Sequence, residues 1–187
     1  MAETVLFKRA EKAEPCVTLI GMAGSGKSTI GHALARHLGY AFMDTDHLME
    51  AAYAVNLQGV TEALPGSAFL DMEERFVRSV RAGRCVIATG GSVVYRDAAM
   101  QHLRSLGPIV CLDCSLAVIQ KRIALNPKRG LVIAPGQTIA DLYNERYVLY
   151  NRYADIHCDT TKSPEACAAW IAEHLPWPAE GRSPSDV

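Results

Sequence analysis

The densest chemistry in this sequence lies near its start, in Gly21-Met-Ala-Gly24-Ser25-Gly26-Lys27-Ser28-Thr29, an unbroken G-x-x-x-x-G-K-[ST]. Glycines at these spacings let successive backbone N–H groups turn inward onto phosphate oxygens. A helix opening at Lys27 adds its positive dipole end. In such a loop the lysine reaches β- and γ-phosphates and the following Ser28 hydroxyl binds Mg²⁺. The motif follows a β-branched run, Cys16 to Gly21, and precedes an amphipathic stretch, Ser28 to Leu38. That context separates it from a glycine-rich turn matching by chance, and it implies a bound nucleoside triphosphate.

Three further clusters suggest what happens to the phosphate. Asp44-Thr-Asp46 follows a short strand, Tyr40 to Met43. Alternation along an extended chain puts both carboxylates on one side. One could help hold Mg²⁺ while the other accepts a proton from an attacking hydroxyl; the alternative use of both is to cap the next helix. Thr89-Gly90-Gly91-Ser92 closes another strand where backbone can approach a small ligand, or simply make a tight turn. Arg129, in the loop Asn126 to Gly130, and Arg146 are cations that could stabilise a transferring phosphoryl group. Either arginine alone reads as a surface residue; the set together points to a phosphotransferase.

The elements that must position these residues alternate strand and helix. Strands are expected at Cys16–Gly21, Tyr40–Met43, Cys85–Thr89, Pro108–Leu112 and Ile156–Cys158. Helices are expected at Ser28–Leu38, Asp44 to about Ala54, Phe69–Val80, and near 96–105, 115–124, 138–153 and 164–174; Val60 to Ser67 reads as turn. This pattern predicts an α/β fold, a three-layer α/β/α sandwich on a five-stranded parallel sheet of P-loop NTPase type. In such sheets ligands bind at the carboxyl ends of the strands, where the motifs fall.

At 187 residues the chain suits one domain. With 49% apolar and 21% charged residues it is an ordinary globular composition, and a net charge of -1 leaves no excess to grip a nucleic-acid backbone. No apolar run approaches the roughly 20 residues that span a bilayer, and the N-terminus does not read as a signal peptide. A cytoplasmic protein is expected. The six cysteines sit mostly in Val/Ile-rich runs and read as small buried hydrophobes; Cys111-Leu-Asp-Cys114 has no second pair at zinc-ribbon spacing. The six histidines are scattered, with no spacing that suggests ligands, and Trp170 and Trp177 read as packing residues.

Taken together, the phosphate loop, Asp44-Thr-Asp46, Val86-Ile-Ala-Thr-Gly-Gly91, the loop around Arg129 and Arg146-Tyr-Val-Leu-Tyr150 resemble the shikimate kinase family over about residues 15–174. The resemblance implies a nucleoside-monophosphate-kinase-like fold and phosphoryl transfer from ATP, with Mg²⁺, to the 3-hydroxyl of shikimate in aromatic amino-acid biosynthesis. It implies a single kinase domain over 1–176 acting on small molecules, with a substrate-binding part at about 44–80 and a lid at about 124–138; the tail at 177–187, rich in Pro, Ser and Gly, reads as a flexible end, and a monomer is expected. Under the resemblance, Lys27, Asp46 and Arg129 are catalytic, and Gly24, Ser25, Gly26, Lys27, Ser28, Thr29, Arg122 and Pro164 bind nucleotide. Asp46, Gly90, Gly91 and Arg146 bind substrate, Arg146 through its carboxylate, and Ser28 and Asp44 serve the metal.

Three positions depart from the family. Leu70, in Phe69-Leu-Asp-Met-Glu73, stands where the family has a second carboxylate-gripping arginine; Ser92 replaces a third glycine; Gly130 replaces a proline after the lid arginine. Loss of one charge-assisted hydrogen bond, about 1.5–3 kcal/mol, weakens carboxylate binding by roughly tenfold or more. Arg75 or Arg78 could stand in for it. Otherwise the acceptor is another hydroxylated metabolite, such as a sugar acid or amino-acid alcohol. A homologue that binds nucleotide without turnover is a further alternative, as is a nucleotide kinase, although Asp44-Thr-Asp46 and Gly90-Gly91 fit a small hydroxy acid better.

Overall fold

The computed structural model describes residues 14–64, 66–125, 131, 133–134 and 136–177. Strand β1 (Val17–Ile20) is buried along its whole length and feeds through the phosphate loop into helix α1 (Lys27–Leu38). Gly39 ends α1 in a left-handed conformation, φ 65°, its N–H returning to Ala35 and Arg36 carbonyls. Then come β2 (Ala41–Asp44), α2 (Thr45–Tyr53), α3 (Leu57–Ala63), α4 (Gly66–Ser79) and β3 (Cys85–Ala88). A 3₁₀ turn (Val93–Tyr95), α5 (Asp97–Leu106), β4 (Ile109–Asp113), α6 (Leu116–Leu125), α7 (Ile139–Tyr153), β5 (Ile156–Asp159) and α8 (Pro164–His174) complete the chain.

All five strands are parallel, in the order β2-β3-β1-β4-β5. One face of the sheet packs Ile20, Ile87 and Ile109 against α5 and the buried residues of α6 and α7. The other packs Val17, Leu19 and Val110 against α1 and α8, with Trp170 and Trp177 partly buried at its margin. The three-layer sandwich expected from the strand–helix alternation is therefore present. From β1 the chain first moves outward to β2, returns to β3, then crosses to β4 on the opposite side. That reversal opens a crevice at the carboxyl end of β1, and the phosphate loop fills it.

Two local expectations are corrected. The segment read as turn around 60–67 contains most of α3, whose first turn is capped by Asn56 accepting from the Gly59 N–H at 2.7 Å and anchored by buried Leu57. Gly59, Pro65 and Gly66 dominate that stretch by composition, but a cap and one buried leucine suffice once α2 and α4 offer a surface. Asp44 and Asp46 also do not share an extended chain: β2 stops at Asp44, and Asp46 stands in the first turn of α2.

Candidate active site

A cleft of about 1210 Å³ runs along the carboxyl ends of β1, β2 and β3. It is lined by Gly24 to Thr29, Asp44, Asp46, Gly90, Gly91, Arg122, Arg146 and Pro164, which are all the predicted site residues that fall among the described ones. Arg129 and Gly130 lie outside the described residues.

The phosphate loop takes its shape from its glycines. Gly26 is the N-cap of α1 with φ 106°, a conformation L side chains rarely adopt, so it sets the N–H direction at the helix mouth. Lys27 is buried, and its Nζ donates to the Gly21 and Met22 carbonyls at 2.7 and 2.9 Å. Burial lowers its pKa to about 8, against the opposing pull of the Asp46 and Asp44 carboxylates. Arg122 donates to the Gly24 carbonyl at 2.7 Å, which ties α6 to the loop. Pro164 opens α8 at the same end of the cleft as Thr160 and Lys162, behind Ser163, whose hydroxyl accepts from the Ala166 N–H.

Asp44 does two jobs. Its Oδ1 accepts from the Asp46 and His47 N–H groups, capping α2, and its Oδ2 accepts from Ser28 Oγ at 2.8 Å. The helix-cap use is thus real for Asp44 and absent for Asp46. Two hydroxyl and carboxylate oxygens side by side at the loop's exposed edge suit a hard ion such as Mg²⁺, so the donor set fits the metal that the fold implies.

Asp46 faces the floor of the cleft. Burial first, then the neighbouring Asp44 charge, push its carboxyl up to about 6, partly countered by Lys27. A Cβ placed on Gly90 would lie 2.7 Å from Asp46 Oδ1 and closer still to Glu73 Oε1. Glycine is required there by close approach, and the two carboxyl groups meet over it. Arg146 arrives from α7, its side chain fully buried, with Nε donating to Tyr95 Oη at 3.3 Å and the guanidinium over that ring at 5.2 Å. A Cβ on Gly91 would be 3.0 Å from Arg146 Nη1, and Tyr150, one turn along α7, donates to the Gly91 carbonyl at 2.7 Å. The glycine pair therefore sits between a carboxylate and a guanidinium.

Glu73 is a site group whose importance spacing alone did not reveal. It is 1% exposed, accepts from Ser92 Oγ at 2.8 Å through Oε2, and has no hydrogen-bond partner for Oε1. Burial and then the Asp46 charge raise its pKa to about 8, so it is mainly neutral at pH 7. Its sequence signal was a carboxylate on the apolar face of α4, in step with Phe69 and Val77. Two departures from the family thus sit around one group: Ser92 supplies a hydroxyl to Glu73, and Leu70, three residues before it, supplies no charge. Leu70 instead packs, partly buried, on the Met49, Leu57 and Phe69 cluster. Neither proposed stand-in fills the gap. Arg75 is exposed, and Arg78 pairs with Glu74 at 3.3 Å in solvent; neither lines the cleft.

The remaining expectations divide. All six cysteines are free and five are buried, as packing residues would be. The histidines are less scattered in space than in sequence: His157 Nδ1 lies 3.1 Å from Asp113 Oδ2, and Cys111 stands close by.

Comparison with known proteins agrees with this geometry. The family model described as shikimate kinase matches residues 23–176. A shikimate kinase of Thermodesulfovibrio yellowstonii is 34% identical over 171 residues, covering 89% of this chain and 98% of the relative. One from Paracidovorax citrulli is 36% identical over 164 residues, covering 85% and 88%. Among solved structures, the shikimate kinase of Acinetobacter baumannii in complex with shikimate superposes with a TM-score of 0.76 at 27% identity, over 84% of this chain and 90% of that one. The one from Aquifex aeolicus gives 0.71 at 28% identity, over 83% and 93%. With a matching fold, a phosphate loop and a carboxylate–guanidinium pair in one cleft, the chain belongs to the shikimate kinase family, phosphotransferases that act on a hydroxyl group.

Proposed function

We propose that this chain moves the γ-phosphoryl group of ATP to the 3-hydroxyl of shikimate, with each step carried by residues of the one cleft. The observation that carries the proposal is the convergence of Asp46 and Arg146 on Gly90–Gly91, beside the Lys27 loop. Loop N–H groups and the α1 N-terminus cradle the phosphates, and Lys27 exchanges a loop carbonyl for β- and γ-oxygens. Ser28 and Asp44 are the residues that would hold Mg²⁺, which when bound neutralises charge on the β- and γ-phosphates. Asp46 takes the proton of the acceptor hydroxyl as that oxygen bonds to phosphorus, while the bond from phosphorus to ADP breaks; the proton passes to solvent afterwards. Arg146 holds the acceptor's carboxylate in a fork suited to a planar anion. Arg129 keeps the phosphoryl-stabilising role that the resemblance gives it, in a lid at about 124–138. The substrate-binding part at about 44–80 corresponds to α2–α4.

The same reading takes the chain as a monomer, and its six free thiols suit the reducing cytoplasm. Leu70 favours a second acceptor reading, in which the true substrate is a hydroxy acid needing one cationic grip rather than two. A coupled ADP-release assay separates the two. ATP with shikimate is expected to give turnover, and the methyl ester of shikimate, which lacks the anion Arg146 would grip, is expected to give at least tenfold lower kcat/KM. Equal rates for acid and ester would remove the carboxylate grip from Arg146, and faster turnover of another hydroxy acid from a panel would replace shikimate as the acceptor.

A further inference from the structure

The sheet brings together a second set of metal-binding side chains away from the reacting groups. Strands β4 and β5 pair in parallel with Cys111 level with His157, and Asp113, two residues on, shares the face of Cys111. One ligand atom from each of the three lies within 4.8 Å of the others. Asp113 bridges them: Oδ1 is 3.5 Å from Cys111 Sγ and Oδ2 is 3.1 Å from His157 Nδ1. We propose that Cys111, Asp113 and His157 bind one zinc-class divalent transition ion, distinct from the magnesium of the kinase cleft, which clamps β4 to β5.

The distances are near those that an ion requires. Tetrahedral zinc, with bonds of about 2.0–2.3 Å, holds its ligand atoms roughly 3.3–3.6 Å apart. The two Asp113 contacts lie near that range, one through each carboxylate oxygen, and the widest spacing within a set of one ligand atom per residue is at most 4.8 Å. Bringing that spacing to the upper end of the range needs a shift of about 1 Å, which His157, its side chain 40% exposed, has room to make. Beside Cys111, Asp113 and Cys114 lies a cleft of about 10 Å³, lined also by Tyr143 and Tyr147, with room for about one water as a fourth ligand.

Donor chemistry sets the selectivity. A thiolate, an imidazole and a carboxylate favour Zn²⁺ or Co²⁺ over Mg²⁺, whereas Ser28 and Asp44 offer oxygens alone. Binding replaces the Cys111 thiol hydrogen with the metal and releases that proton to solvent, while His157 binds as the neutral imidazole.

Such an ion would also steady the nucleotide end of the cleft. The Asp113 carbonyl accepts from the Thr160 N–H at 3.0 Å and from Thr160 Oγ1 at 2.8 Å. Thr160, Lys162 and Pro164 line the cleft, so fixing Asp113 fixes the root of that turn. The plainer account of the same side chains is an exposed Asp113–His157 ion pair beside a packed cysteine, which binds no metal.

The test uses the chelator-stripped full chain in buffer containing millimolar Mg²⁺. Titration with Co²⁺ is expected to give a thiolate-to-cobalt charge-transfer absorption that saturates at one equivalent and is displaced by Zn²⁺. Zn²⁺ is expected to raise Tm by roughly 5 °C. Cys111→Ser is expected to abolish the band. His157→Ala, at a partly exposed position that leaves the fold intact, is expected to weaken cobalt binding at least tenfold. No charge-transfer band in the parent chain would leave the ion-pair account standing and overturn the proposal. A band that survives both substitutions would overturn it too, by placing the metal on another thiol.

Discussion

Replacing Asp46 with Asn removes one charge at nearly constant shape, and its consequences can be worked through group by group. A positioned general base contributes about 10²–10⁴ in rate, so kcat in the ADP-release assay is expected to fall by that range. ATP affinity, measured by calorimetry, is expected to stay within about threefold, because the phosphates are held by loop N–H groups that the substitution does not touch. Lys27 loses the carboxylate that most opposes its burial. Its pKa, now about 8, is expected to fall further, which moves the alkaline limb of any residual activity toward neutrality.

The same substitution stabilises the fold. A carboxyl whose pKa rises from 3.8 unfolded to about 6 folded contributes no penalty below pH 3.8, and stability is lost as the pH climbs from there through 6. At pH 7 the whole cost is present, and Asn removes it. The raised value corresponds to about 3 kcal/mol, in which the attraction of Lys27 is already included. A gain of up to about 3 kcal/mol is expected, read as a Tm increase of several degrees. A nearly inactive yet more stable variant is the signature. Unchanged turnover with an acid limb still near pH 6 would remove Asp46 from the chemistry.

Other expectations follow from the same groups. In the parent enzyme, kcat/KM against pH should be bell-shaped, rising as Asp46 deprotonates near 6 and falling above about 8 as Lys27 loses its proton; a profile flat from 5 to 9 would contradict both roles. Glu73→Gln keeps a neutral hydrogen-bonding group beside Ser92, so activity at pH 7 should remain within about threefold, whereas a hundredfold loss would mean that the ionised form is needed. Leu70→Arg should lower KM for shikimate by roughly tenfold without raising kcat, and no gain in KM would favour another acceptor. Gly90→Ala puts a methyl group between Asp46 and Glu73 and should cut kcat at least tenfold with ATP binding kept; full activity would show that the close approach is unimportant.

Legibility in the sequence followed range along the chain. The phosphate loop is contiguous, and β1, β3 and β4 are short apolar runs bounded by turn residues, so each could be read locally. Asp44 and Asp46 were found because they close a strand beside that loop, although the geometry that joins them is a helix start rather than an extended chain. Helix α3 was lost among glycines and a proline, since its anchor is one leucine whose burial depends on α2 and α4. Glu73 and Ser92 are 19 residues apart, and Asp113 and His157 are 44 apart; only the sheet order brings such pairs together. That order, β2-β3-β1-β4-β5, is not written in any periodicity.

The central claim is that one phosphoryl group moves from ATP to a carboxylate-bearing alcohol held between Asp46 and Arg146. Phosphorus NMR of the chain incubated with Mg²⁺, ATP and shikimate tests it most directly. A new phosphomonoester resonance growing in equal amount with ADP is the expected result. ADP accompanied by inorganic phosphate alone, or no consumption of ATP, would contradict it.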